Sequence, residues 1–371
     1  MKLIIEGSVF EQPFTGVAKA TLGLYRACSK IDDTLHIMSI YRRRLHGALP
    51  DENRGIRIFS WLPSRIWRGL AIPISARQYK ADVVHYPWNG GIPMMSHRGI
   101  TVMTLHDVLP LIIPGYLKTE HDRARYCRMR QRDISRAHLV VTVSEYSKTQ
   151  ILEHFTVKHE PVVIYNAPTL RCDSGTLVKT HKEGGEYFIY VGGYDPRKGL
   201  ESLLKVFISL FQEGKISSRL LLTGTKTNYS DAFRRLVCEG LETGAIDERG
   251  YVDDDELCDL LRGARGLLYP SRYEGCGLPP LEAMSIGCPV VAVRSTAIPE
   301  ICGDAVLYCE PGMDGDLARA IVALDGNEYL RGSLAERGRK RARQFSWEES
   351  AAKYLSELSR VLHSHGELVG I

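Results

Sequence analysis

The sequence predicts an α/β protein built from two doubly wound, parallel-sheet domains, and three observations carry that expectation. Its 371 residues exceed what one hydrophobic core usually serves. Short apolar runs alternate with helical patterns along the chain, the order of a parallel sheet with helices on both faces. Residues 169–185, rich in Thr, Gly, Lys and Glu and without apolar periodicity, break the alternation and read as a linker.

In the first half, strands are expected at residues 1–8, 35–41, 81–86, 101–105, 139–143 and 162–168. A polar loop, Glu11-Gln-Pro-Phe-Thr-Gly-Val17, leads from the first strand into a helical pattern over 18–29. Gly16 there serves either as a turn glycine or as a point where a ligand approaches the backbone closely. Ligands of parallel sheets bind beyond the carboxyl ends of strands. Three polar features fall at such ends: Pro87-Trp-Asn-Gly90, His106-Asp107 and Ser144-Glu-Tyr-Ser147. The last is read as structural, with Ser144 capping a helix. His106 is compatible with a loop hydrogen bond or with an active site.

In the second half, strands are expected at 187–191, 219–222, 266–269, 290–293 and 305–308. The first runs into Gly192-Gly-Tyr-Asp-Pro-Arg-Lys-Gly-Leu200, where Arg197 and Lys198 place two cations before a helix. Arg binds phosphate through paired donors and Lys as a point charge, so the pair suits a diphosphate. The third runs into Ser271-Arg-Tyr-Glu-Gly-Cys-Gly-Leu-Pro-Pro280, where Pro279-Pro280 marks the first turn of a helix. The amides of Gly275, Cys276, Gly277 and Leu278 then sit at a helix N-terminus that favours phosphate or sugar oxygens. Glu274 and Glu282, with seven residues between them, suit hydroxyl donors rather than phosphate. Phosphate donors beside hydroxyl acceptors suggest a nucleotide-sugar. The acidic run 253–256 reads as a helix start, and Ser346 with Glu349 as a capping box.

Composition narrows the class. A hydrophobic share of 44% with 25% charged residues is that of a soluble globular protein, and no apolar run reaches the length of about eighteen needed to span a membrane. Met-Lys-Leu-Ile-Ile5 is stopped by Glu6 and reads as a strand, not a signal peptide. The nine scattered cysteines form no Cys-x-x-Cys pair and are expected as reduced thiols of a cytosolic protein, with neither zinc nor disulfides. Charge is uneven: 23 Lys+Arg face 14 Asp+Glu in residues 1–170, against 25 and 30 in 171–371. The basic excess centres on Arg123, Arg125, Arg128, Arg130, Arg132 and Arg136, with a second cluster at Arg42-Arg43-Arg44. No nucleic-acid motif accompanies it. A solvated helix face, an anionic membrane and a lipid-diphosphate acceptor all fit the charge.

With these pieces assembled, the chain resembles the retaining glycosyltransferases of the GT-B fold, family 4, in particular those that transfer mannose in bacterial surface-polysaccharide synthesis. The most specific element is Glu274-Gly-Cys-Gly-Leu-Pro-Pro-Leu-Glu282. Val191-Gly-Gly193 with Pro196-Arg-Lys-Gly199, Thr15-Gly16-Val17, Thr104-Leu-His-Asp107, the run from Val141 to Ser147, Ile298-Pro-Glu300 and Phe345-Ser-Trp347 match in order. The resemblance implies two Rossmann-like domains facing across a cleft. Residues 1–168 would bind the acceptor, with a helix over 350–371 crossing back, and 186–349 would bind the nucleotide-sugar. It implies that Arg197 and Lys198 hold the diphosphate, Glu282 the ribose, and Glu274 the sugar hydroxyls with the loop from Gly275 to Leu278. Gly16 leaves room for the diphosphate, and His106 lies near the transferred sugar.

The implied activity is transfer of a hexose, mannose from GDP-mannose, to a glycan or lipid-linked acceptor, without metal or other cofactor. The implied location is cytoplasmic, peripheral at the inner membrane face through the arginine-rich helix, and no nucleic-acid partner is expected. UDP-glucose, UDP-GlcNAc or UDP-galactose donors, or a GT-B nucleotide-sugar epimerase, are the alternatives. A dehydrogenase is disfavoured because no Gly-x-Gly-x-x-Gly loop follows the first strand. Three departures from the family are Gly193 where relatives carry arginine, Cys276 where an aromatic is common, and Asn166-Ala-Pro168 in place of an Asn-Gly hinge.

Overall fold

A computed structural model describes residues 1–11, 15–43, 54–170, 172, 186–224 and 230–369. The chain divides into two compact units, one of Met1–Ala167 with Phe345–Ile371 and one of Pro168–Gln344. Most of the expected linker, residues 12–14 and Arg44 lie outside the described residues.

Unit 1 runs β1 (Lys2–Glu6), α1 (Gly16–Ile31), β2 (His36–Tyr41), β3 (Arg54–Arg57), α2 (Ser64–Tyr79), β4 (Val83–Tyr86), β5 (Ile100–Thr104), α3 (Leu109–Ile112), α4 (Glu120–Arg136), β6 (Leu139–Thr142), α5 (Glu145–His154) and β7 (Val162–Val163). Its described strands form one parallel sheet in the order β3-β2-β1-β4-β5-β6-β7. Leu3, Ile4 and Ile5 are all buried, because a sheet covered on both faces has no polar side. Leu3, Ile5, Val83 and Val102 meet residues of α1 and of the last helix, whereas Ile4, Val84 and Met103 meet residues of α2.

Unit 2 runs β8 (Tyr187–Val191), α6 (Leu200–Gln212), β9 (Arg219–Thr223), α7 (Asp231–Glu242), β10 (Ile246–Gly250), α8 (Asp254–Gly263), β11 (Gly266–Tyr269), α9 (Leu278–Ile286), β12 (Val290–Val293), α10 (Ile298–Cys302), β13 (Leu307–Cys309), α11 (Asp314–Gly326) and α12 (Glu328–Ala342). The sheet order is β10-β9-β8-β11-β12-β13, again parallel throughout. Asp253 caps α8 by accepting from the Glu256 amide at 2.9 Å, as its acidic start predicts.

The chain then returns to unit 1 as α13 (Trp347–Val369), three residues earlier than expected from sequence. Ser346 caps it, but the carboxylate that answers is Glu348, at 3.0 Å from the Ser346 hydroxyl. Tyr354 of α13 is fully buried, and its hydroxyl lies 3.0 Å from that of Tyr25. Tyr25 lies 2.6 Å from His85 Nδ1, and His85 Nε2 lies 2.7 Å from Thr104 Oγ1. Four polar side chains thus satisfy one another inside the core.

One sequence expectation is corrected. Cys172 and Cys258, 86 residues apart, are joined in a disulfide, whereas the other seven cysteines remain thiols. The pairing follows from α8 lying against the segment after β7, a proximity that cysteine spacing does not encode. Among the described residues, no helix is long and apolar enough to cross a membrane.

Candidate active site

Both sheets reverse strand order once, between β1 and β4 in unit 1 and between β8 and β11 in unit 2. Open parallel sheets bind ligands beyond the strand ends at such points, because the connections there diverge to opposite faces.

In unit 2 the reversal brings together the segments after β8 and β11. Asp195 accepts from the Arg197 amide at 3.0 Å and sets a single 3-10 turn, Pro196–Lys198. Gly199 follows at φ +68°, where a Cβ would lie 2.3 Å from the Pro270 carbonyl oxygen. Only glycine lets these two loops approach so closely. The Arg272 amide then donates to the Arg197 carbonyl at 2.8 Å.

This registry places four donors on one oxygen. Glu274 Oε1 accepts from Lys198 Nζ at 2.5 Å, Ser271 Oγ at 2.6 Å, the Tyr269 hydroxyl at 2.8 Å and Arg197 Nη1 at 3.3 Å. Oε2 is left to accept from elsewhere. Burial alone would raise the Glu274 carboxyl, but Lys198 and Arg197 outweigh it and hold it below the usual glutamate value. Burial pushes the Lys198 ammonium down, and Glu274 opposes that shift only in part. Lys198 also donates to the Tyr269 hydroxyl at 3.1 Å, which leaves one of its three N–H groups for a ligand.

The resemblance gives the two cations to the diphosphate and Glu274 to the sugar; in the fold the cations touch that carboxylate. Tyr269, Ser271 and Thr296 are site residues the sequence reading missed. Tyr269 was hidden in an apolar strand, and Ser271 in a loop without a distinguishing neighbour. Thr296 accepts from the Glu274 amide at 2.9 Å and donates to the Glu274 carbonyl at 3.0 Å. It sits at φ +50°, a strained value for a β-branched residue, and such strain persists where surroundings fix it.

The turn from Gly275 to Leu278 leads directly into α9, with Gly277 as its left-handed N-cap and Cys276 buried. Glu282 follows within the helix that this turn opens. It is buried on α9, and one of its carboxylate oxygens accepts from the Thr169 hydroxyl.

In unit 1, Gly16 is the first residue of α1, exposed beside the Thr15 cap, which accepts from the Ala18 amide at 3.2 Å. The His106 amide donates to Asn89 Oδ1 at 2.7 Å, and its Nε2 lies 2.8 Å from the Pro87 carbonyl. A carbonyl only accepts, so Nε2 carries the proton and Nδ1 is left as an acceptor. Burial pulls the His106 pKa down, against the raising influence of the Pro87 carbonyl and Asp107, and keeps the ring neutral. Ser144 caps α5 as expected, whereas Ser147 donates to the His106 carbonyl at 2.9 Å and steadies the loop.

The arginines of α4 are not a simple solvated face. Arg130 and Arg132 both bind the fully buried Asp133, Arg123 donates to the Leu111 carbonyl, and Arg136 donates to those of Pro93 and Met94. Among the described residues, no group of three His, Cys, Asp or Glu is placed to hold a metal ion.

The alkaline limb of kcat/KM reports the free enzyme. Because burial lowers the Lys198 pKa, activity should fall at a lower pH than the ordinary lysine value of about 10.4, and Lys198→Arg should shift that fall upward by at least about one pH unit. An unmoved limb would show that Lys198 does not set it.

Residues 185–327 match the family model of glycosyl transferases group 1, and residues 15–168 that of glycosyltransferase family 4. O-antigen chain mannosyltransferase B of Escherichia coli is 33% identical over 293 residues, which cover 76% of this chain and 74% of that protein. O-antigen chain mannosyltransferase RfbU of Salmonella typhimurium is 29% identical over 273 residues, 73% and 72% of the two chains. Sucrose-phosphate synthase from Thermosynechococcus elongatus superposes with a TM-score of 0.74 at 19% identity, covering 98% of this chain and 99% of that one. HepE of Anabaena, solved with UDP and glucose, gives 0.74 at 17% identity over 97% and 99%. Matched in both halves and over three quarters of its length, the chain belongs to the family 4 glycosyltransferases of GT-B fold.

Proposed function

We propose that the protein transfers a hexose, with retention of anomeric configuration, from a nucleotide-sugar to a glycan or lipid-linked saccharide in polysaccharide biosynthesis. The donor is GDP-mannose, a choice supported by relatives that are themselves named mannosyltransferases. The place of action is the cytoplasm, at the inner face of the membrane where a lipid-linked acceptor presents its sugar. The observation that carries the reading is the contact of Lys198 and Arg197 with Glu274 where β8 and β11 diverge.

The chemistry follows from that contact. When the anomeric C–O bond breaks, its electron pair passes to the diphosphate and the sugar gains oxocarbenium character. Lys198 and Arg197 are already fixed by Glu274, so they stabilise the new charge with little reorganisation. They supply the positive charge themselves, and we assign the reaction no divalent metal; turnover in EDTA should equal that without it. Glu274 Oε2 accepts from sugar hydroxyls. Glu282 exchanges the Thr169 hydroxyl for those of the ribose. His106 Nδ1 accepts a hydroxyl of the transferred sugar, and Gly16 leaves room for the diphosphate. The acceptor oxygen adds on the face that the leaving group vacates, and its proton goes to a phosphate oxygen.

Thermal stabilisation by GDP-mannose, UDP-glucose, UDP-GlcNAc and UDP-galactose tests the donor. A ligand at a hundred times its dissociation constant adds about 2.7 kcal/mol, and GDP-mannose should give the largest shift. A larger shift with a UDP-sugar would replace the donor assignment. Epimerised sugar-nucleotide formed without acceptor would overturn transfer itself.

A further inference from the structure

The disulfide at Cys172 stands three positions after Thr169, whose hydroxyl occupies a carboxylate oxygen of Glu282. From this adjacency we infer that Cys172 and Cys258 form a thiol–disulfide exchange site for a dithiol reductant, and that its state sets whether Thr169 or a ribose holds Glu282. The inference rests on the donor reading above, which gives Glu282 to the ribose, and adds a control on that contact.

All the participants belong to unit 2. From Pro168 the chain meets two helices that pack against each other. Thr169 donates to Glu282 of α9, Leu170 is buried, and Cys172 is bonded to Cys258 of α8. The first attachment is a hydrogen bond and the second is covalent. Three extended residues span at most about 10 Å, so with the S–S bond closed Thr169 cannot leave the neighbourhood of Glu282. A hydroxyl tethered in this way meets its acceptor at an effective concentration on the order of millimolar, whereas a ribose competes at its concentration in solution. Glu282 is itself buried, and a buried acceptor without a donor is costly. Thr169 supplies that donor while no nucleotide is bound.

Compartment chemistry favours exchange over a permanent staple. In the reducing interior where the proposed transfer takes place, lasting structural disulfides are rare, and the pairs that do form there mostly sense redox state. Cys172 is half-buried and Cys258 buried, so a reductant thiolate attacks the Cys172 sulfur and Cys258 departs as the leaving group. The protein S–S bond breaks as a mixed disulfide forms at Cys172. The second thiolate of the reductant then displaces Cys172 and closes the reductant's own disulfide. Two electrons and two protons pass to the protein, which is left with two thiols. Other cysteines of the fold are poor competitors for this exchange: burial pushes Cys28, Cys288, Cys302 and Cys309 up to about 12, which keeps them protonated. Once the bond is open, Thr169 is no longer confined, and ribose hydroxyls displace it from Glu282.

The full chain is compared after oxidised glutathione and after dithiothreitol. Peptide mapping should find Cys172 joined to Cys258 in the first state and both as thiols in the second; a missing cross-link after oxidation would overturn the proposal. GDP and UDP are the probes for calorimetry, each beside its 2′,3′-dideoxy form, which lacks the ribose hydroxyls. Reduction should tighten the nucleotide that binds by at least about five-fold and leave its dideoxy form unchanged. Cys172→Ser, at the half-buried end of the pair, should bind like the reduced parent in either buffer. Thr169→Val removes the competing hydroxyl and should abolish the response to reduction, whereas Thr169→Ser should keep it. Equal affinity in the two states of the parent would overturn the inference alone, as would a response that survives Thr169→Val or that the dideoxy form shares. Failure of both nucleotides to bind in either state would overturn the donor reading, and this inference with it.

Discussion

Replacing Arg197 and Lys198 together by alanine should weaken sugar-nucleotide binding by ~3–6 kcal/mol, since charged hydrogen bonds contribute about 1.5–3 kcal/mol each. Calorimetry with the donor measures it directly, and unchanged affinity would remove both residues from the site. The same variant should also lose ~3–5 kcal/mol of stability, because it strands the Glu274 carboxylate without either cation. Adding Glu274→Gln separates the two effects: stability should recover, whereas donor affinity should not. The pH dependence should invert as well. In the parent, Glu274 is held below the usual carboxyl value of about 4.3, so its contribution is present above that pH and is lost as pH falls through the lowered value. Without the cations, burial prevails and raises the carboxyl, so the double variant should gain stability on acidification where the parent loses it.

Tyr354→Ala should destabilise unit 1 by ~3–5 kcal/mol, the cost of emptying a fully buried aromatic site. Tyr354→Phe should cost about 1 kcal/mol, because it removes one hydrogen bond from the Tyr354, Tyr25, His85 and Thr104 chain while the packing stays. Chemical denaturation of the two variants decides between them: equal losses would mean that the hydroxyl, not the ring, dominates. His85 adds a pH signature. Burial, with His106 nearby, lowers its pKa to about 3, so the folded unit keeps it neutral where the unfolded chain takes up a proton. Stability from this group is therefore present above about pH 6.5 and declines toward pH 3, by at most ~1.4 kcal/mol per pH unit.

What the sequence disclosed follows from burial. Tyr187–Val191, Gly266–Tyr269 and Val290–Val293 are central strands, apolar on both faces, and their expected limits coincide with the observed ones. β10 at one sheet edge, Ile246–Gly250, carries Asp247, Glu248 and Arg249 and gave no apolar run to recognise. β3, at the edge of the other sheet, escaped for the same reason. At the candidate site, the charged residues were legible because their types announce chemistry. Their mutual contact was not, since it depends on the Gly199 turn against Pro270 and on Tyr269, a residue that reads equally well as core. The disulfide between Cys172 and Cys258 and the Asp133 anchor under two arginines are products of tertiary proximity, which no local pattern contains.

Unit 1 is discontinuous, and this bears on how the chain matures during synthesis. Its sheet and α1 leave the ribosome early, but α13, whose Tyr354 and Leu358 join the cluster around Leu24 and Tyr25, is translated only after unit 2. At 5–20 residues per second, the intervening 177 residues of Pro168–Gln344 occupy roughly 9–35 s. Throughout that interval one side of α1 lacks its cover, while the later unit is the first to possess all of its own residues. The order of completion is therefore the reverse of the order of synthesis, and a chain stopped before Phe345 presents a sticky nascent surface that the finished protein never shows.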